Sequence, residues 1–68
     1  MSKYQVIKKV VKDEQYKLLD TLECKDISQA RRVATQKYYN SINPVKEQLI
    51  VVGAEGYNKY YKDKVESK

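Results

Sequence analysis

Apolar and polar positions divide this chain into four readable stretches. Residues 4–12, YQVIKKVVK, carry valine, isoleucine and tyrosine without helical spacing, which predicts a strand. Residues 16–24, YKLLDTLEC, alternate roughly and predict a second strand. The intervening Asp13-Glu14-Gln15 is a polar turn without glycine. One register collects the best apolar pairs: Val10 opposite Leu18, Val6 opposite Leu22 and Tyr4 opposite Cys24. It makes a core face of Tyr4, Val6, Val10, Tyr16, Leu18 and Leu22, with Lys8 opposite Asp20 as its one ion pair. That pair reads as a charged guard at a sheet margin.

The third stretch, 26–40, is the one segment with a start, a stripe and a stop. Asp26 is a candidate N-cap with Gln29 three residues on, as in a capping box, and Ser28 is a rival cap. Ala30, Val33, Ala34 and Tyr38 fall at i, i+3, i+4 and i+8, with Ile27 a turn earlier. Two alanines in the stripe predict close approach to a sheet. Lys37 suits the negative end of the helix dipole, and Asn40, Ser41, Asn43 and Pro44 end the helix. Residues 48–52, QLIVV, are the most apolar run and predict a strand central in the sheet or covered on both faces. Gly53 and Gly56 bracket an expected turn.

The last stretch, YNKYYKDKVESK, reads two ways. Tyr57, Tyr60, Tyr61 and Val65 form a helical stripe, whereas Tyr57, Lys59 and Tyr61 would line one face of a strand. A short C-terminal helix or turn is the preferred reading, with about the last four residues disordered. The predicted fold class is α+β: a three-stranded, mainly antiparallel sheet in the order β-β-α-β. One helix packs on one of its faces, with a short C-terminal helix after the last strand as an optional addition.

Length makes this a single small basic domain of 68 residues, whose core is necessarily thin. There is no Phe or Trp, and seven tyrosines supply all the aromatic area. A tyrosine has an apolar body and a polar tip, so it suits a thin core or an interface. Cys24 is the only cysteine and histidine is absent. An intrachain disulfide and a structural zinc site are therefore both excluded. The N-terminal stretch has charges every few residues and no long apolar run, so the expected location is cytoplasmic, with no membrane partner.

Candidate chemistry follows from what is missing. Without histidine the commonest general base is gone, and Cys24 has no imidazole to activate it. The carboxylates alternate with lysines, and no phosphate-cradling glycine loop is present. The expectation is a protein that is not an enzyme and uses no metal or cofactor. The net charge of +5 favours polyanions. Fourteen residues are basic, and Arg31 and Arg32 are the only arginines. Two groups could meet nucleic acid. Arg31, Arg32, Lys37 and Tyr39 lie off the apolar stripe of the helix. Tyr57, Lys59, Tyr60, Tyr61 and Lys62, followed by Lys64, interleave rings and ammonium groups. Rings stack on bases and lysines neutralise phosphates, which is what single strands require. The reading is a small binding domain for DNA or RNA, through the single strand or the phosphate backbone. Arg31 and Arg32 are the first place to look. The alternative is a protein-binding module, such as a small accessory protein of a phage or mobile element. It would act as a homodimer, or as an inhibitor of a larger or acidic protein partner.

Overall fold

In the computed structural model, which describes residues 1–66, β1 (Ser2–Val10) and β2 (Gln15–Cys24) form the expected hairpin. The helix α1 (Ile27–Tyr38) follows, then a 3-10 turn at Tyr39–Ser41 and β3 (Glu47–Gly53). The sheet is antiparallel throughout, in the order β2-β1-β3. The fold is therefore α+β, as the sequence pattern predicts.

The hairpin register differs from the expected one. Its loop is four residues, 11–14, and Glu14 takes a left-handed φ of 52° to close it. Tyr4 pairs with Leu22 and Val6 with Asp20. A bulge at Leu19 then shifts the register, so that Ile7 pairs with Leu18 and Lys9 with Tyr16. Side chains alternate across a strand, and one inserted residue exchanges the faces beyond it. The predicted core face is therefore split. Tyr4, Val6, Val10 and Leu22 share one side, while Tyr16 and Leu18 move to the other side with Ile7. The expected Lys8–Asp20 pair does not form. Lys8 lies opposite Lys17 and binds Glu47 at 3.3 Å instead.

Each face of the sheet has its own helix. Val6 and Ile7 are sequence neighbours, so they point to opposite faces, and both are 0% exposed. Over the Val6 side lies α1, with Ala30 and Ala34 fully buried against the strands. Its start is as predicted: Asp26 accepts from the Gln29 amide at 2.8 Å. The Gln29 side chain reaches back to the amide of Lys25, one residue before the cap, at 2.7 Å. The helix's end is also prepared locally. Asn43 accepts from the Val45 amide and donates its own N–H to the Glu47 carboxylate, folding the chain back into β3.

Over the Ile7 side lies the C-terminal helix, 54–66. The expected turn at 53–56 is absent, because Gly53 ends β3 and the chain coils at once from Ala54. Its middle, Tyr57–Tyr61, is a wide π-type turn in which the Lys62 amide bonds to the carbonyl of Tyr57. That turn keeps Tyr57 and Tyr61 facing the sheet and carries Tyr60 out of the predicted stripe. Tyr57 is buried, Tyr61 and Val65 are half-buried and Tyr60 is 60% exposed. The ring of Tyr61 meets that of Tyr16 at 5.9 Å, tilted by 56°. Val65 and Glu66 are helical; Ser67 and Lys68, the rest of the end expected to be disordered, lie outside the described residues. The Cα envelope of 33 × 27 × 13 Å fits helix, sheet and helix stacked along the 27 Å direction. Three strands spaced by about 4.8 Å account for the thin dimension.

Candidate nucleic-acid interface

The two predicted basic groups lie on opposite sides of the sheet. Arg31, Arg32, Lys37 and Tyr39 belong to α1 and the turn after it. Tyr57, Lys59, Tyr60, Tyr61 and Lys62 belong to the C-terminal helix. A single strand lying on one face cannot meet both groups, so each side has to be judged alone.

On the α1 side the charge is partly used up. Arg31, Arg32 and Tyr39 are exposed, but Lys37 donates to Asp20 at 2.8 Å. Asp20 stands opposite Val6 on the face that α1 covers. Its Oδ2 also accepts the Tyr38 hydroxyl at 2.7 Å, and its Oδ1 accepts the Thr21 amide. Donation from Lys37, then from Tyr38, holds the carboxyl down at about 2, against an ordinary 3.8. The same contact raises the Lys37 ammonium, and it raises the Tyr38 phenol, whose proton is held against an anion. Three side chains thus fasten the end of α1 to β2. Glu47 is likewise held below its usual range, first by the Asn43 amide and then by Lys8. Both ion pairs among the described residues sit on this side of the sheet.

On the C-terminal side the ammonium groups meet rings instead of carboxylates. The Lys59 Nζ lies 5.3 Å from the ring centre of the exposed Tyr60. Lys9 and Lys64 approach the ring of Tyr16 at 5.6 and 5.2 Å, and Lys64 is also 6.0 Å from Tyr61. Beside this cluster an open hollow runs between the start of β2 and the last turn of the helix. It is lined by residues 14–18, Lys64 and Val65. Among the described residues, no ion pair engages Lys9, Lys17, Lys59, Lys62 or Lys64.

The nine candidates therefore separate by role. Tyr57 and Tyr61 are core residues that fix the C-terminal helix to the sheet. Lys37 belongs to the Asp20 fastening. Lys59, Tyr60 and Lys62 are accessible on one side, and Arg31, Arg32 and Tyr39 on the other. Lys9 and Tyr16 were not among the candidates. Both face the C-terminal side, Tyr16 because of the Leu19 bulge, which leaves no mark in the residue pattern. No helix among the described residues is long and apolar enough to cross a membrane. Cys24 is buried at the end of β2. No family model matches the chain, and no curated protein or solved structure matches it either.

Proposed function

We propose that the protein is a non-enzymatic binding domain for single-stranded nucleic acid, which it meets with the side bearing the C-terminal helix. The observation that carries this reading is the set of unpaired lysines packed among tyrosine rings on that side: Lys9 and Lys64 at Tyr16, Lys59 at Tyr60. A lysine lying on a ring is held near the aromatic face but keeps its charge. When a base stacks on the ring, the flexible ammonium can swing to the adjoining phosphate. The mechanism is electrostatic attraction along the helix, with stacking at the exposed ring of Tyr60 and at the rim of Tyr16. The lysines give little base selectivity, since they are point charges without the fork of arginine.

The test is fluorescence anisotropy of a labelled single-stranded oligonucleotide, titrated at several salt concentrations. Each phosphate contact contributes about 0.7 to the slope of log affinity against log salt. Replacing Lys59, Lys62 and Lys64 together by alanine removes three such contacts, so the slope should fall by about 2. Replacing Arg31 and Arg32 should leave it nearly unchanged. No binding at low salt removes the reading. An effect confined to the arginine variant moves the site to the α1 side.

A further inference from the structure

The two outer strands of the sheet are not alike. The outer strand β2 carries Lys17, Asp20 and Glu23 and is bent by the bulge at Leu19. Charges and bulges are how natural sheets keep an edge from pairing. β3 has neither device. It pairs in unbroken register with β1, and its sequence EQLIVVG has one charge, at its first residue. Every second residue of an antiparallel edge strand turns its amide and carbonyl outward. Among the described residues the outward amide of Glu47 is taken by the Asn43 carbonyl at 2.8 Å, and no other backbone group pairs with the outward side of β3. A groove runs along it, lined by Arg31 and Thr35 of α1 and by Leu49, Ile50 and Val51.

We infer that β3 is a dimerisation edge, and that its occupant is the β3 of a second copy, joined antiparallel to make one six-stranded sheet. The geometry chooses the register. β3 runs from 47 to 53, so only pairing centred on Ile50 uses the whole strand. Residues opposite one another then share a face, as continuous sheets require. Ile50 meets its own counterpart, Leu49 meets Val51, and Gln48 meets Val52. No like charges oppose. Glu47 of each copy comes opposite Gly53 of the other, on the face that α1 covers. Arg31 lines the groove on that face beside Leu49–Val51, so each copy brings an unpaired arginine near the carboxylate that the other holds against its own Lys8. The interface is isologous and self-complementary, as a two-fold dimer needs. An unrelated extended peptide could add its backbone to the same edge. It would not supply this matched pair of charges, and that favours the second copy.

The pairing does not rest on the nucleic-acid reading. It does place both C-terminal helices on one face of the joined sheet, away from the α1 layer.

Sedimentation equilibrium over a wide concentration range, with amide hydrogen exchange on the same samples, tests the inference. The expected result is a species of twice the 8.0 kDa chain mass. Outward amides of Gln48–Val52 should gain protection as concentration rises, while the outer edge of β2 should not. Arg31→Glu should raise the dimer dissociation constant about tenfold or more, as for a charge pair turned repulsive. Arg32→Glu, on the outward side of the helix, should not. A chain that remains monomeric at millimolar concentration overturns the inference. So does a dimer whose β3 amides stay unprotected.

Discussion

Asp20→Asn should weaken the fold measurably, and the weakening should depend on pH in a defined direction. The side chain of Asp20 is 26% exposed and accepts from Lys37 and Tyr38 at 2.8 and 2.7 Å. A carboxyl held at about 2 instead of 3.8 corresponds at face value to a little over 2 kcal/mol. Lys37 leaves 56% of its side chain in water, so screening reduces this to about 1–2 kcal/mol. The bond from the part-buried Tyr38 hydroxyl to a charged acceptor leads independently to the same range, about 1.5 kcal/mol or more. Asparagine keeps an acceptor but loses the charge. The folded-state pKa is depressed, so the contribution is complete above about pH 4. It fades as pH falls through 3.8 towards 2, where the unfolded chain has taken up a proton and the folded one has not. Urea titrations of both proteins should therefore differ by about 1–2 kcal/mol at pH 7 and converge near pH 2. A difference that persists undiminished at pH 2 would refute the reasoning, as would equal stabilities at pH 7.

Two further substitutions probe the two helix layers. Ala34 is 0% exposed between α1 and the sheet, so Ala34→Leu should cost about 1–3 kcal/mol in a urea titration by forcing the layers apart. A neutral result would mean that α1 does not lie so close. On the other face Tyr61 packs on Tyr16 and is half-buried, while Tyr60 is 60% exposed. Tyr61→Ala should cost about 2 kcal/mol and Tyr60→Ala no more than about 0.5. Oligonucleotide binding should respond in the reverse order in protein that remains folded. Equal losses of stability would contradict the rotation set by the wide turn at Tyr57–Tyr61.

The elements were legible because their signals are local. Asp26 with Gln29, the Ala30–Ala34 stripe and the Asn43-Pro44 stop each act within a few residues, and α1 forms where they point. The run QLIVV was readable as a strand for the same reason, but it forms an edge of the sheet and not its centre. The covering of the sheet's faces was less legible. It depends on which residues lie opposite one another across the hairpin, and a bulge is a tertiary event. Pairing Val6 with Leu22 is a sensible local optimum for two strands in isolation. The folded chain places Asp20 opposite Val6 instead, because there the carboxylate finds Lys37 and Tyr38 of α1. The same inserted residue turns Tyr16 and Leu18 towards the C-terminal helix. Two helices on opposite faces each need a floor of large side chains. A strand in strict alternation would have offered Tyr16 and Leu18 to the α1 side alone.

The placement of one helix on each face decides which candidate residues share a surface. From the sequence, Arg31 and Arg32 and the tyrosine-lysine segment stood as two candidate groups, with nothing to say whether they share a surface. Composition records how much charge a chain carries but not which way it faces. Once the sheet has a helix on each side, the arginines and the lysines point away from each other. The arginine side has its carboxylates close at hand, at Asp20 and Glu47, and it borders the unguarded edge of β3. The lysine side has rings close at hand and faces away from that edge. Contacts with a second copy and with a polyanion therefore need not compete for the same residues. A dimer joined at β3 would set two lysine-bearing helices side by side on one face. A bound strand long enough to cross both would double its phosphate contacts, so affinity and salt slope should both rise with oligonucleotide length up to that span.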